Sequence, residues 1–236
     1  LFQRKENVEE YYLSNEYSSD FRGGDSPSKE KIEEDQARAD LRFNLIEDLL
    51  PDSGDLLEIG CGSGMLLGRL PDRFEKTGIE LSTGYAEFAN GRGLNVLNGP
   101  FPKTVPDGTF DVIICFHALE HVESPPAFIG AVNELLEDDG VFILGYPDLS
   151  VAAEKREFIA PTYFQVSHLY DFSHRNLAPY MATKGLIAQQ MLESEGGGSL
   201  NKNCILIFKK GKPAKRVNWD SEFAITLYNQ IMEMWT

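Results

Sequence analysis

From Asp55 onward, short apolar runs alternate with stretches whose apolar residues recur at helical spacing. The runs at 55–59, 75–80, 94–98, 110–116 and 140–146 have the length of strands, and the segments 64–70, 82–91 and 125–137 have helical periodicity. Strands and helices in that alternation predict a parallel sheet with helices on both faces. A helix over 174–184, a strand near 187–193, the Gly196-Gly197-Gly198 turn and a strand at 203–209 follow, and predict a terminal antiparallel β-hairpin. The expected fold is therefore α/β, with a seven-stranded, mostly parallel sheet.

The flanks have a different texture. Residues 1–50 carry Tyr11, Tyr12, Tyr17 and Phe21, then the turn signal Gly23-Gly24-Asp25-Ser26-Pro27, then a helical pattern from Ser28 to Leu50; together they read as a helical N-terminal lid. The main domain spans 51–211. Within it, the stretch 147–173 breaks the alternation and holds Phe158, Tyr163, Phe164, His168, Tyr170 and Phe172. A structural connection would need fewer than about ten residues, so this insertion is expected to be a substrate cap. Residues 212–236 read as a linker and a C-terminal helix from Trp219 to Trp235, with Phe223, Leu227, Ile231 and Met234 at helical spacing. Its apolar face is suited to docking on this domain, on a partner or on an additional domain.

Composition narrows the function. Lys+Arg 22 against Asp+Glu 37 leaves a formal net charge of −15, a field that repels phosphate backbones and anionic membrane surfaces. Nucleic acid and membrane are accordingly not expected as partners. Cys61, Cys115 and Cys204 each sit in an apolar stretch without a CxxC pair, which suggests buried thiols in a reducing compartment. Neither a membrane-spanning run nor a signal-peptide pattern is visible, and a cytoplasmic enzyme is expected. The start at Leu1 and the aromatic-rich end give the expectation of a segment cut from a longer protein.

The most informative segment is Leu56-Leu57-Glu58-Ile59-Gly60-Cys61-Gly62-Ser63-Gly64-Met65, a buried strand ending in a glycine-rich turn that opens a helix. Glycine is needed there because a side chain would block close approach of a ligand to the backbone. The turn reads GxGxG, with Met65 where a dinucleotide fingerprint would place its third glycine, which disfavours a nicotinamide cofactor. Glu80, at the end of the second strand, is placed to accept hydrogen bonds from both hydroxyls of a ribose, so an adenosine-type ligand is expected.

These segments, with Phe110 to Val122 and Leu135 to Ile143, resemble the successive motifs of class I S-adenosylmethionine-dependent methyltransferases over roughly residues 50–210. The pattern His168-Leu169-Tyr170-Asp171-Phe172-Ser173 resembles a branch that includes ubiquinone-biosynthesis O-methyltransferases and many small-molecule and sugar methyltransferases. The resemblance implies a Rossmann-like fold and S-adenosylmethionine as cofactor, with S-adenosylhomocysteine as product. It implies that Glu58, Gly60, Cys61 and Gly62 surround the methionine part, that Glu80 holds the ribose and that Leu81 flanks the adenine. It also implies that Phe116 and His117 pass near the sulfonium. Gly64, Ser82, Asn98 and Gly99 complete this shell, with Asn98 taking the adenine contact that the family usually gives to an acidic residue.

An in-line methyl displacement asks the protein to align the nucleophile and, for a hydroxyl, to remove its proton. All four histidines fall in or beside the expected C-terminal edge of the sheet, and His121, His168 and His117 are the candidate bases, with structural or cofactor-orienting duty as the other reading. Arg22 and Arg38 are candidates for pairing with the methionine carboxylate. His117-x-x-Glu120-His121 spells a zinc-protease motif but directly follows a strand, and that reading is rejected. Some ubiquinone-type enzymes are similar in having ExxEH here for a divalent ion; with His117 in place of the first Glu, a hard cation loses an oxygen ligand, and no metal is expected. The expected function is O-methylation of a small-molecule or saccharide acceptor. The alternatives are aminopropyl transfer, for which no diagnostic acidic acceptor site is visible, and a non-catalytic binding or scaffold module.

Overall fold

The structure is a computed structural model that describes residues 24–148, 168–195 and 202–216. Tyr11, Tyr12, Arg22, most of the 147–173 insertion, the triple-glycine turn and the Trp219–Trp235 segment lie outside the described residues.

The chain forms α1 (Lys29–Ile46), β1 (Gly54–Ile59), α2 (Met65–Arg69), β2 (Phe74–Glu80), α3 (Thr83–Gly91), β3 (Val96–Asn98), β4 (Phe110–Phe116), α4 (Pro125–Leu135), β5 (Leu136–Pro147), α5 (His174–Thr183), β6 (Leu186–Glu195) and β7 (Lys202–Lys210). Local chemistry sets several starts. Ser28 caps α1 by accepting from the Lys31 amide, and Ser124 caps α4 by accepting from Ala127, with proline in the first turn where its missing N–H costs nothing.

The seven strands lie in the order β3-β2-β1-β4-β5-β7-β6. β1 pairs parallel with both β2 and β4, and only β7 runs antiparallel between β5 and β6. The parallel strands and the terminal hairpin thus stand as expected. Alternation along the strands divides the core into two layers. Leu56, Val112, Ile114, Ile143 and Ile207 face α1, α2 and α3 through Ala39, Phe43, Leu66 and Ala86. Leu57, Ile113, Phe142, Leu144 and Phe208 face α4 and α5 through Phe128, Ile129, Val132, Leu177 and Met181. Chain direction reverses its order at β1 and β4, which opens a crevice at their C-terminal ends, the usual ligand position in open α/β sheets.

Several boundaries differ from the sequence reading: the helix read over 28–50 ends as an α-helix at Ile46, β3 begins at Val96 instead of 94, and the boundary before β5 moves. α4 ends at Leu135 instead of running to 137, and β5 begins at once. Leu136 pairs with Phe110 and Val141 with Val112, so residues 137–140 bulge out of the ladder. Burying Leu136 beside Phe110 outweighs continuing the helix into the exposed acidic run Glu137-Asp138-Asp139.

Phe142 is fully buried and stacks on Phe208 with ring centroids 5.8 Å apart. Phe142→Ala is expected to lower unfolding stability by about 3–5 kcal/mol. Leu41→Ala, at a position 58% exposed, should change it by less than about 0.5 kcal/mol. Urea unfolding of both variants checks the difference.

Candidate active site

The crevice begins at the turn after β1. Gly60, Gly62 and Gly64 take φ values of 74°, 56° and 72°, a left-handed region that suits residues without a Cβ. Their surroundings separate their roles. A Cβ on Gly64 would lie 2.5 Å from Leu94 Cδ1, so this glycine lets α2 pack closely. A Cβ on Gly60 would lie 3.0 Å from that of Ala118, whereas one on Gly62 would meet nothing within 4 Å. Gly62 is therefore the glycine that faces open space, where a ligand can approach the main chain. The Cys61 side chain is buried in the core, and a Cβ on Gly78 would come within 2.8 Å of its Sγ, so Cys61 contributes packing and main chain.

Glu80 closes the other side of the turn. It is 3% exposed; its Oε2 accepts from the Gly62 amide at 2.8 Å and its Oε1 from the Ser82 amide at 2.9 Å. The two signals that spoke for a nucleoside ligand are thus physically joined. Leu81 follows directly. Asn98 ends β3, but its side chain is engaged: Nδ2 donates to the carbonyls of Glu80 and Leu81, and Oδ1 accepts from Thr83 Oγ1 at 3.0 Å. It ties β3 to the β2–α3 turn. The next residue, Gly99, has φ 151° and no room for a Cβ beside Thr104.

At the end of β4, Phe116 is buried and His117 takes φ 56°, the one non-glycine positive φ among the described residues. Strain of that kind persists where surrounding contacts hold it. Here the His117 amide donates to the Gly145 carbonyl at 2.9 Å, and His117 Nδ1 lies 3.2 Å from Glu120 Oε1. Glu120 is 1% exposed, and its Oε2 has no hydrogen-bond partner among the described residues. His121 Nε2 stands 3.9 Å from Glu120 Oε1, and the His121 and His168 rings meet edge to face at 4.8 Å. The Glu120 carbonyl accepts from the amides of Leu169 and Tyr170, which anchors the segment carrying His168. The three candidate bases, His117 and His121 just after β4 and His168 far along the chain, therefore gather around one carboxylate. Glu120, His121 and His168 also bring donor atoms within 4.8 Å of one another, a set that could hold a metal ion; the sequence pattern had no means of placing His168 there.

Two members of the site escaped the sequence reading. Glu120 entered the sequence reading only as part of the His117-x-x-Glu120-His121 spelling, and its burial reveals it as the hub. Arg42, one helical turn beyond Arg38 on α1, lies over the Phe116 ring at 4.6 Å. Its charge acts on Glu58 and Glu120. The arginine spacing of four was the available signal.

Burial pushes the Glu58 carboxyl up to about 8, with Glu80 adding to the rise and Arg42 opposing it. Burial acts upward on Glu120 too, but the hydrogen bond from His117 and the nearby His121 prevail and bring it to about 2. Burial lowers His117 against the pull of Glu120, so its ring favours the neutral form. The sign for Glu58 follows from a folded value above the unfolded one near 4.3. Its contribution to stability is complete below about 4.3 and is lost as pH rises towards 8. Glu58→Gln should remove that slope and make the protein more stable than wild type at pH 9. Urea unfolding at pH 5, 7 and 9 tests this; an unchanged slope in the variant would refute it.

The methyltransferase domain family matches residues 31–189 of the chain. The chain is 31% identical over 98 residues to a ubiquinone biosynthesis O-methyltransferase of Rickettsia conorii, covering 38% of this chain and 34% of that one. It is 34% identical over 100 residues to that of Psychrobacter cryohalolentis, covering 38% and 39%. The chain thus spans well under half the length of these relatives. Among solved structures, magnesium protoporphyrin IX methyltransferase from Synechocystis, with bound S-adenosylhomocysteine, superposes with a TM-score of 0.61 at 15% identity, over 86% of this chain and 98% of that one. An N-methyltransferase from Bradyrhizobium japonicum in complex with S-adenosylhomocysteine superposes with a TM-score of 0.56 at 14% identity, over 76% and 87%. These likenesses concern the fold. The family match takes in the glycine turn, Glu80 and the histidine-rich edge of β4, and covers more than half of the chain: this protein belongs to the methyltransferase domain family, in its class I form.

Proposed function

We propose that the chain transfers a methyl group from S-adenosylmethionine to a hydroxyl of a small molecule or saccharide, with the histidine cluster around Glu120 taking the proton. The observation that carries this reading is the pinning of Glu80 to the Gly62 amide beside the open space over Gly62. A carboxylate fixed there accepts from two vicinal hydroxyls of a ribose while the glycine leaves room for the rest of the nucleoside. The fit extends to the buried Glu58, whose Oε2 has no hydrogen-bond partner among the described residues, and to Arg42, whose guanidinium suits a carboxylate. When bound, the sulfonium supplies an activated methyl and a neutral leaving group.

The protein's own part is alignment and proton management. Phe116 gives an apolar wall at the end of β4. Glu120 holds His117 by a hydrogen bond and stands 3.9 Å from His121, while His168 packs on His121. An imidazole there accepts the hydroxyl proton as the oxygen attacks, and the buried carboxylate stabilises the resulting imidazolium. The net charge of −15 favours neutral or cationic acceptors over polyanions. O-methyltransferases among the relatives support the hydroxyl as acceptor.

Calorimetric titration with S-adenosylhomocysteine should show wild-type binding that weakens roughly 100-fold in Glu80→Ala, the scale for losing charged hydrogen bonds. No binding to the wild type would overturn the reading in favour of a non-catalytic module. With labelled S-adenosylmethionine and a panel of phenols and sugars, His121→Gln should lower kcat by about 10²–10⁴-fold and flatten the acidic side of its pH profile while leaving S-adenosylhomocysteine affinity unchanged. Equal loss of affinity would assign His121 to cofactor binding instead.

A further inference from the structure

A second cluster of chemically active side chains lies beyond the β4 edge. Asp148 just follows β5, His174 opens α5 and Cys204 sits on β7, paired in register with Tyr146 of β5. Asp148 and Cys204 have no exposed surface, and the His174 side chain keeps 25% of its own. His174 Nδ1 lies 3.1 Å from Asp148 Oδ2, and one donor atom from each of the three residues falls within 4.8 Å of the others. Tyr146 donates its hydroxyl to Asp148 Oδ2 at 3.1 Å, and the His174 amide donates to the same oxygen at 2.6 Å.

We propose that Asp148, His174 and Cys204 form a binding site for a divalent transition-metal cation of the zinc class, with water in the fourth position. The donor chemistry selects the metal. A thiolate and an imidazole disfavour magnesium and calcium, and a mixed carboxylate, imidazole and thiolate set suits four-coordinate zinc. The three donor atoms lie within 4.8 Å of one another, and ligands at about 2.0–2.3 Å in a tetrahedron stand about 3.3–3.6 Å apart, so a small closing of the side chains reaches that geometry. Tyr146 supplies the outer hydrogen bond that orients a ligating carboxylate, and the accessible side of His174 gives a way in. On binding, the His174 ring carries its proton on Nε2 and the Cys204 thiol proton leaves to solvent, so affinity rises with pH. The cation joins β5, β7 and the start of α5.

Titration of the metal-free full chain with Co²⁺, followed by absorbance, tests this. A thiolate-to-cobalt charge-transfer band saturating at one equivalent, with the intense visible bands of four-coordinate cobalt and displacement by Zn²⁺, is expected. Cys204→Ser should abolish the charge-transfer band. His174→Gln should weaken binding at least tenfold and cancel any rise in Tm caused by Zn²⁺, which keeps the test decisive if the buried serine variant fails to fold. His121→Gln and His168→Gln should leave the band intact, because their cluster has no thiol. The absence of a charge-transfer band, its survival in Cys204→Ser, or its loss in His168→Gln would each overturn the proposal.

Discussion

The buried strand β1 turns into α2 across residues 60–64 through left-handed backbone conformations at Gly60, Gly62 and Gly64, and the rest of the site depends on that turn. The amides of Gly60 and Cys61 both donate to the Ile79 carbonyl, which locks the turn to the end of β2. The same docking sets Glu80 against the Gly62 amide. Were the turn wider, the carboxylate would lose its main-chain donors and a ligand would lose its close approach. The strand order then brings the end of β4 to the other side of the turn, so the nucleoside-type half and the histidine half of the crevice face each other by topology.

The site also concentrates charge in a place with little water. Glu58 and Glu120 are both buried, yet they respond oppositely because their neighbours differ. Glu120 has imidazoles around it and stays ionised, whereas Glu58 has Glu80 nearby and a single opposing arginine and is driven toward its neutral form. Arg42 is the link, reaching both carboxylates from a helix outside the strand-turn-helix motif. The α1 helix is thus part of the electrostatics of the crevice as well as of its packing, and Asp35 of α1 accepts directly from Ser63 in the glycine turn.

How much of this was legible in the sequence follows from how local each signal is. Strands β1 and β4 and the second part of β5 were readable because buried central strands are nearly continuous apolar runs. The glycine turn and Glu80 were readable because their chemistry lies within about 20 residues and in a fixed order. The convergence of His168 on His121 was not, since it depends on main-chain bonds from 169 and 170 to Glu120 across a long separation. Asn98 shows the opposite limit: its position was foreseen, but not its engagement with Thr83 and two carbonyls. The start of β5 was misjudged because Leu136 satisfies helical spacing and strand pairing alike, and only the partner Phe110 decides between them.

The insertion of β7 between β5 and β6 has a consequence for how the chain acquires its structure. Among the described residues β6 pairs with β7 alone, so it has no place in the sheet until residues 202–210 have been made. During synthesis, β5 would present an unpaired edge holding Phe142, Leu144 and Tyr146 while β6 waits, the kind of surface on which chains associate wrongly. β7, the last strand among the described residues, thus acts as the closing wedge of the sheet, and it makes assembly a late, long-range event.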